Sequence, residues 1–477
     1  MCTTILAGNL ATKDGSILLT RSADSSALKA QHFVIHPATN YPAGSLYKTQ
    51  DFKGATNFVW PRPSHAMRYT SVPNWQTQLH GAVGFNEAGL GVTGTESIFA
   101  RDDFLAIDPY NKESGITEDD ILDVILPECK TARQGVQLLG RIIETAGCGE
   151  GFGVAFGDSK ECWYLETGTG HQWVATRIPA DMYFASGNQG RLRFYDPESD
   201  DWMGSPNVID FAAEHGFYDK NSGRPFDFAA AYTRDDDRDR IYNDPRVWEI
   251  QRVLTPSLKQ EPQEGRAFPV FAKPDHPITV QDMKDLMRNH FSGTEHDPYA
   301  PALNGSEPWR PVSVFRTYES HVLQIRPWMP MPVGNVIYVA FGMADLSVYL
   351  PFYMGIQSVP AAFGLGTDKA DNDSAYWKFR KVQTLAMTDY ENLAPVVKTK
   401  YQAFEDAVTA RQADLEARVI QLLDSNPDHA IELLQQFSDE VLNSALKLAD
   451  SLLNELMTLR TASVQETVYF KNRKNKD

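Results

Sequence analysis

The sequence has few cysteines and no long apolar run. Its cysteines are Cys2, Cys129, Cys148 and Cys162, and none forms a Cys-x-x-Cys pair of the kind that binds zinc. The three beyond Cys2 are predicted to be buried, unreactive thiols rather than redox or metal-binding groups, which favours a reducing compartment. No apolar run approaches the roughly 20 residues of a membrane span, and charged residues interrupt the start, so no signal peptide is expected. These features predict a cytoplasmic protein.

The chain also lacks an excess of positive charge. It carries 45 Lys and Arg against 62 Asp and Glu, a formal net charge of -17. Nucleic acids and anionic membranes are themselves negative, so neither is expected as a partner. The length of 477 residues exceeds the usual size of a single core, and the 42% hydrophobic content is sufficient for a packed interior. We therefore expect one large domain with an additional element.

Glycine is absent from residues 373–477. Apolar residues there recur every three or four positions, as on one face of a helix. This apolar stripe consists of Leu434, Phe437, Val441, Ala445, Leu448, Leu452 and Leu456. A helix that ends near Leu423 is separated from it by Asn426-Pro427. The pattern predicts a helical hairpin that packs on the core or at a subunit interface, and the second possibility predicts a homo-oligomer.

The start of the chain combines a nucleophile with a base. Cys2 follows Met1, and an initiator methionine before so small a residue is normally removed. A thiol has an ordinary pKa of about 8.5 and an α-amine one of about 7.7 to 8.0, so a free α-amine can accept the thiol proton. Cys2 is therefore a candidate nucleophile that needs no histidine, although a cysteine can also stand there by chance.

A predicted β-hairpin returns two charged residues to the start of the chain. A strand after Cys2, a turn at Asp14-Gly15 and a second strand over residues 17–20 lead to Arg21 and Asp24. Arg21 would favour the thiolate by its charge, and Asp24 would hold the α-amine by accepting its hydrogen bond. The alternative is an exposed arginine and aspartate at the end of a strand.

These residues resemble the start of the dipeptidases of peptidase family C69. The resemblance rests on Met1-Cys2-Thr3-Thr4 and on Arg21-Ser22-Ala23-Asp24, where the family often has asparagine in place of Ser22 or Ala23. It continues through residues 86–90, 95–97, 186–189, 242–248 and 316–321, and it ends near residue 342. The family is grouped with penicillin V acylase and bile salt hydrolase among the N-terminal nucleophile hydrolases.

The order of the predicted elements is α+β. Strands precede two helices, one with Thr117 as N-cap and one between Thr131 and Gly147, and further strands follow. Together with the resemblance, this order implies the four-layer αββα sandwich of the N-terminal nucleophile hydrolases. That catalytic domain would occupy residues 1–372, with residues 373–477 as a helical extension.

The resemblance implies hydrolysis of dipeptides without a metal or an organic cofactor. Cys2 would attack the peptide carbonyl, its α-amine would carry the proton, and water would hydrolyse the thioacyl-enzyme. The side-chain amide of Asn188 matches the family's oxyanion donor, and Arg246 matches an arginine that lines the site. The alternatives are an amidohydrolase of non-peptide C–N bonds, half of a glutamine amidotransferase, which would need a synthase partner, and a non-catalytic, secernin-like scaffold.

Glu96 and Asn86 are the predicted substrate-binding residues. Aligned from Asn86, Glu96 stands where bile salt hydrolases carry an asparagine that lines the oxyanion site. A carboxylate only accepts hydrogen bonds and would repel an oxyanion. We therefore expect Glu96 to bind the free α-ammonium group of a dipeptide, and an ion pair with a neighbouring arginine is the structural alternative.

Two further patterns could bind a cation. Residues 234–240 alternate arginine and aspartate, for which a solvated loop with internal ion pairs is the favoured interpretation. His290, His296 and Asp297 lie close in sequence, but they lack the spacing of a metal site on a helix. No metal is expected at either place.

Overall fold

The computed structural model describes residues 2–50, 52, 55–76, 78, 80–262, 265–299 and 309–465. Within these residues the strands form two large antiparallel sheets and three two-stranded ones. The strands are β1 (Thr3–Ala7), β2 (Ile17–Asp24), β3 (Val34–His36), β4 (Thr39–Asn40), β5 (Leu46–Lys48), β6 (Val59–Pro61), β7 (His65–Ala66), β8 (Tyr69–Ser71), β9 (Val83–Phe85), β10 (Gly91–Ser97), β11 (Phe152–Gly157), β12 (Cys162–Thr167), β13 (Trp173–Arg177), β14 (Tyr183–Ser186), β15 (Trp202–Gly204), β16 (Phe271–Ala272), β17 (Thr317–Ile325), β18 (Asn335–Phe341) and β19 (Leu350–Tyr353).

The first large sheet has the strand order β16-β14-β1-β2-β17-β18-β19. The hairpin of β1 and β2 lies near its centre and pairs Thr3 with Ser22 and Thr4 with Arg21, which confirms the predicted hairpin. Every residue of β2 is buried, because both faces of the sheet are covered. A strand in this position contains a continuous apolar run, as residues 17–19 do, rather than an alternation.

The second large sheet has the order β15-β13-β12-β11-β10-β9 and packs face to face with the first. Glycines allow the close approach of the two sheets. A Cβ atom on Gly91 would lie 2.8 Å from a methyl group of Leu323, and one on Gly157 would lie 2.7 Å from a methyl group of Leu19. Carbon atoms in contact are usually about 3.5 to 4.0 Å apart. β2, which carries Arg21, thereby lies against β10 and β11 of the second sheet.

Helices cover the outer face of each large sheet. They are α1 (Asp102–Leu105), α2 (Ile121–Ile125), α3 (Ala132–Ala146), α4 (Val208–Glu214), α5 (Phe228–Tyr232), α6 (Asp239–Tyr242), α7 (Asp244–Leu254), α8 (Val280–Arg288), α9 (Met331–Gly334), α10 (Ala375–Met387), α11 (Tyr390–Leu423) and α12 (Pro427–Gln465). α3 packs on β11, β12 and β13 of the second sheet, whereas α8, α10 and α12 pack on β17, β18 and β19 of the first. The result is four layers, and the predicted αββα fold is confirmed.

The ends of α3 agree with the prediction, whereas the start of α2 does not. The Thr131 side chain accepts a hydrogen bond from the backbone N–H of Gln134, and Gly147, with φ of 77°, follows the last turn. α2 begins later than predicted, and Thr117 donates its hydroxyl to Asp120, the residue that precedes the helix. The predicted N-cap at Thr117 is therefore wrong.

The C-terminal region contains three helices within the described residues, one more than predicted. α10 precedes the expected pair, and residues 424–426 separate α11 from α12, which begins at Pro427, so the break lies where it was expected. The apolar stripe is buried except at Leu448, which is half-buried, and it packs among α10, α11 and β19. The chain itself covers the stripe, which favours packing on the core over the predicted subunit interface. The division at residue 372 stays a prediction.

The patterns considered for cation binding make contacts within the protein. The run 234–240 contains ion pairs, such as Arg234 with Asp236 at 2.9 Å, and His290 Nδ1 lies 2.8 Å from Asp297 Oδ1. In the part of the chain that the structure describes, no group of three or more His, Cys, Asp or Glu side chains could hold a metal ion. The same residues include no helix that is both long and apolar enough to cross a bilayer.

Candidate active site

Cys2 lies at the entrance to β1, beside Arg21 on β2. Because Thr4 pairs with Arg21 in the hairpin, the side chains of Cys2 and Arg21 are on the same face of the sheet. Arg21 Nη1 donates a hydrogen bond to Cys2 Sγ at 3.2 Å. Both residues are buried, with exposed fractions of 4% for Cys2 and 1% for Arg21. The alternative of an exposed arginine at a strand end is therefore wrong.

All five N–H donors of Arg21 have acceptors. Besides Cys2 Sγ, these are Gly94 O and Thr95 O at 2.7 Å and Ala82 O and Thr93 Oγ1 at 3.1 Å. Four donors thus fix the guanidinium on β10 and the loop before β9, and the fifth points at the sulfur. Burial acts to lower the pKa of Arg21, but the charges of Cys2 and Glu319 outweigh it and raise the pKa. Arg21 is a fixed cation beside the thiol.

Glu319 and His321 lie behind Arg21 on β17. Glu319 Oε1 is 3.7 Å from Arg21 Nη2, and Glu319 Oε2 is 2.9 Å from His321 Nδ1. His321 Nε2 lies 2.7 Å from Thr93 Oγ1, and burial lowers the pKa of this imidazole. No role was predicted for these two residues, although both lie in the run 316–321 that carries part of the family resemblance and their i, i+2 spacing places them on one face of a strand. Glu319 contacts Arg21 directly, and His321 contacts Thr93, one of the acceptors of Arg21.

Arg246 on α7 ties Cys2 to the loop that follows β14. Its Nη1 donates to the Cys2 carbonyl at 2.5 Å and to Thr3 Oγ1 at 2.8 Å. Its Nη2 donates to the carbonyl of Gly187 and to Asn188 Oδ1, the latter at 2.9 Å. Burial lowers the pKa of Arg246 to about 9, which leaves it charged at neutral pH. The structure thus brings Cys2, Arg246 and Asn188 together.

Asn188 has a left-handed backbone, with φ of 72°, which asparagine tolerates better than most residues. While its Oδ1 accepts from Arg246, its Nδ2 donates to Ser97 O at 3.2 Å and its backbone N–H donates to Glu96. A side-chain amide carries two N–H groups. The contact with Ser97 uses one of these N–H groups and leaves the second available to another acceptor.

Glu96 is buried beneath this loop. Its carboxylate accepts hydrogen bonds from the Asn188 backbone and from the Tyr164 hydroxyl, the latter at 2.9 Å. Burial raises the pKa of Glu96, and the Asn188 hydrogen bond and the charge of Arg246 oppose that shift. These contacts hold the Asn188 loop in place. They favour a positioning role for Glu96 over the predicted contact with substrate.

The structure does not bring Asn86 to this cluster. Asn86 Nδ2 donates to Leu126 O at 2.8 Å and to Cys129 O at 2.7 Å, and its Oδ1 accepts from the backbone N–H groups of Ala88 and Leu90, both at 3.1 Å. Backbone groups thus pair with both the NH2 group and the oxygen of this side chain, which lies in the turn between β9 and β10. The contacts give Asn86 a structural role where substrate binding was predicted.

Asp24 ends β2 and is 1% exposed. It accepts a hydrogen bond from Thr317 Oγ1 at 2.6 Å and forms an ion pair with Arg310. Arg310 Nη1 also lies 3.4 Å from Thr3 Oγ1, so Asp24 stands next to the start of β1. The sequence did not indicate Arg310, because no local pattern relates residues 286 positions apart. A contact between Asp24 and the α-amine of Cys2 stays a prediction.

A second set of polar residues, around Tyr318 and Thr95, lies next to the Cys2 and Arg21 pair. The Tyr318 hydroxyl is 2.7 Å from His80 Nε2, and burial, followed by the charge of Cys2, raises the pKa of Tyr318. Thr95 donates its hydroxyl to Glu118 Oε2 at 2.8 Å, and His80 Nδ1 lies 3.8 Å from the same oxygen. His80 and Glu118 come from connecting segments without a motif, and the sequence did not indicate them.

The other three cysteines are buried and unpaired, as predicted. Burial raises the pKa of Cys129 to about 12 and the pKa values of Cys148 and Cys162 further. A thiol that stays protonated is a poor nucleophile. The environment of Cys2, with an arginine N–H on the sulfur, sets it apart from them.

Comparison with known proteins identifies the family. The family model described as Peptidase family C69 matches residues 1–403. A probable dipeptidase of Salmonella dublin is 52% identical over 75% of this chain and 81% of its own length, and a probable dipeptidase of Latilactobacillus sakei is 33% identical over 85% and 83%. Among solved structures, penicillin V acylase from Agrobacterium tumefaciens aligns with 74% of this chain and 86% of its own, at 14% identity and a TM-score of 0.33. On the family match and these identities, the chain belongs to peptidase family C69.

Proposed function

We propose that the protein is a dipeptidase whose nucleophile is Cys2, exposed at the N-terminus by removal of Met1. The observation that carries the proposal is the hydrogen bond of 3.2 Å from Arg21 Nη1 to Cys2 Sγ. A fixed arginine at this distance places a positive charge and an N–H donor directly on the sulfur of the proposed nucleophile. Membership of a peptidase family and the names of the relatives support the substrate class.

The reaction proceeds through a thioester. The α-amine of Cys2 takes the thiol proton while Sγ forms a bond to the peptide carbonyl carbon, and the carbonyl π electrons move to the oxygen. When the tetrahedral intermediate collapses, the C–N bond breaks and the leaving amine takes that proton from the α-ammonium group. Water then adds to the thioester carbonyl while the α-amine takes one of its protons. The C–S bond breaks, the leaving sulfur takes that proton, and the thiol is restored as the carboxylic acid departs.

The neighbouring residues have distinct roles in this reaction. Asn188 donates its second amide N–H to the oxyanion, and Arg246 holds both Asn188 and the Cys2 carbonyl. Arg21 donates a hydrogen bond to the attacking sulfur. Asp24, anchored by Thr317, accepts a hydrogen bond from the α-amine and orients it. All of these steps conserve electrons, so the reaction needs no redox cofactor.

The proposal is tested by an intact-mass measurement together with a substrate panel. Loss of Met1 and cleavage of unmodified dipeptides are the expected results. Retention of Met1 would leave Cys2 without a free amine and would favour the non-catalytic scaffold. Cleavage of N-acyl amides in place of dipeptides would favour the amidohydrolase.

Thiol alkylation is expected to abolish dipeptide hydrolysis, and a chelator is expected to leave it unchanged. The reason is that every covalent step passes through Cys2 Sγ. The measurement is residual activity after iodoacetamide and, separately, after EDTA, with a peptide map to locate the alkylated cysteine. The reverse pattern, with loss in EDTA and survival of alkylation at Cys2, would contradict the mechanism.

Replacing Glu96 with glutamine is expected to lower kcat for all substrates alike. The substitution replaces one carboxylate oxygen by an NH2 group, which cannot accept a hydrogen bond from Asn188 or Tyr164. Asn188 would then be misaligned, and kcat would lose part of the roughly 10²- to 10³-fold enhancement that one oxyanion donor provides. The measurement compares free and N-acetylated dipeptides. A loss confined to free-amine substrates would restore the ammonium-binding role predicted from the sequence.

Two broader predictions accompany the proposal. A cytoplasmic location is supported by the four unpaired cysteines, which a reducing compartment preserves. Assembly into a homo-oligomer stays a prediction that light scattering can check, and the buried apolar stripe on α12 gives it no support.

A further inference from the structure

Glu118 is a partly exposed carboxylate at the edge of the Cys2 cluster. Thr95 connects Glu118 to the Cys2 cluster. Its carbonyl accepts a hydrogen bond from Arg21 Nη1 at 2.7 Å, and its hydroxyl donates one to Glu118 Oε2 at 2.8 Å. The Glu118 side chain is 31% exposed, whereas Glu96 is 1% exposed. Glu118 therefore combines a link to the nucleophile, through Thr95 and Arg21, with surface that a substrate can contact.

The groups around Glu118 keep it ionised. Burial acts to raise the pKa of Glu118, but His80, Lys29 and the Thr95 hydroxyl together lower it. Burial also lowers the pKa of His80 to about 4, so at neutral pH His80 is a neutral ring and Lys29 is the positive group. Lys29 Nζ lies 5.2 Å from the centre of the Tyr318 ring. The carboxylate is thus negative and has a neutral histidine on one side.

A dipeptide places its own positive charge close to the reacting carbonyl. Only the α-carbon separates the α-ammonium group from the carbon that Cys2 attacks. A group that binds the ammonium must therefore lie close to Cys2. Glu118 meets this requirement, because Thr95 holds it next to Arg21. An ammonium group that enters a partly buried site without a partner loses hydration without compensation. A carboxylate in this position compensates for that loss.

We propose that Glu118 binds the α-ammonium group of the substrate and thereby restricts cleavage to the first peptide bond of peptides with a free amine. This inference rests on the proposed dipeptidase function and adds its specificity determinant. Thr95 holds the carboxylate through its hydroxyl and Arg21 through its carbonyl, so that one residue positions both the ammonium site and the arginine beside Cys2. Glu118 is a binding residue in this proposal and takes no part in proton transfer.

The test is Glu118→Gln, which preserves the size of the side chain and one oxygen for Thr95 but removes the charge. The kcat/KM for a free-amine dipeptide is expected to fall roughly 10- to 100-fold, the range of a hydrogen bond to a charged group. For the N-acetylated dipeptide we expect a change of less than about threefold, within the effect of an ordinary surface substitution. Glu113→Gln is the matched control, because Glu113 is an exposed acid five positions earlier, and it should change neither value.

A second measurement covers binding alone. Two non-cleavable analogues, with the peptide bond replaced by an uncharged trans carbon–carbon double bond, carry or lack the α-amine. Glu118→Gln is expected to raise the inhibition constant of the first analogue by the same factor and to leave that of the second unchanged. This comparison remains informative if wild-type protein cleaves N-acetylated dipeptides too slowly to measure.

Two results would overturn the inference. Unchanged discrimination between the two analogues in Glu118→Gln would show that the carboxylate does not bind the ammonium. An equal loss of kcat/KM on all substrates, together with a shifted pH dependence of Cys2 alkylation, would show that Glu118 contacts the α-amine of Cys2 itself and not that of the substrate. Failure of the dipeptidase function is a separate outcome, because it would appear in wild-type protein as an absence of dipeptide cleavage.

Discussion

Replacing Cys2 with serine is expected to reduce kcat for dipeptides by roughly 10³- to 10⁶-fold, the scale of loss when a catalytic nucleophile is removed. A hydroxyl is far less acidic than a thiol, so neither the α-amine nor Arg21 can generate a comparable nucleophile. The fold should persist, because the serine hydroxyl can accept the hydrogen bond that Arg21 Nη1 now donates to sulfur. The measurements are steady-state kinetics and thermal unfolding of the two proteins.

Cys129→Ser is the matched control for this experiment. Cys129 is buried, and its pKa is raised to about 12, so its loss should leave kcat near the wild-type value. Iodoacetamide should then modify the N-terminal peptide of Cys129→Ser and not that of Cys2→Ser. Dipeptide hydrolysis at the wild-type rate by Cys2→Ser, with Met1 removed, would contradict a cysteine nucleophile.

The sequence predicted the part of the site that is local in the chain. Cys2 and Arg21 are joined by one hairpin, and the Asp14-Gly15 turn with its two apolar strands was enough to place them side by side. The four-layer fold followed from the order of elements together with the family resemblance. The hairpin depends on neighbouring elements, where sequence patterns carry most information, whereas the four layers also required the resemblance.

The sequence could not predict the contacts made across the two sheets. Arg21 finds four of its acceptors on β10 and near β9, and Asp24 finds Arg310 from a distant segment. Only the packing of the sheets brings such residues together. The same limit applies to Glu118, whose partner Thr95 lies on a different element. A polar residue in a loop has no local pattern that indicates a partner.

Glu96 illustrates a different limit. A buried carboxylate needs donors, and the structure supplies two neutral ones, Asn188 N–H and Tyr164 OH, where a positive group was predicted. The sequence pointed instead to a substrate ammonium, because neither donor is adjacent in the chain. A hydrogen-bond requirement can thus be read from the residue type, whereas the identity of the partner depends on tertiary structure.

Asn188→Asp is expected to lower kcat by about 10² to 10³-fold with little change in KM, the usual cost of one oxyanion donor. The substitution preserves the shape of the side chain and an oxygen for Arg246, which now donates to Asn188 Oδ1 at 2.9 Å. It removes both N–H groups and places an acceptor where the oxyanion develops. Because the donor acts on charge that forms only in the transition state, the loss should appear in kcat.

A second variant and a control separate this effect from a change of fold. Asn188→Gly removes the amide but suits the left-handed backbone with φ of 72°, so it should show a similar loss of kcat. Asn207→Asp makes the same chemical change at the exposed residue before α4 and should retain wild-type kinetics. Unfolding midpoints of the three variants show whether each remains folded. If Asn188→Asp and Asn188→Gly both keep kcat within about threefold of the wild type, far below the cost of a lost oxyanion donor, the oxyanion lies elsewhere and Asn188 serves only to hold Arg246.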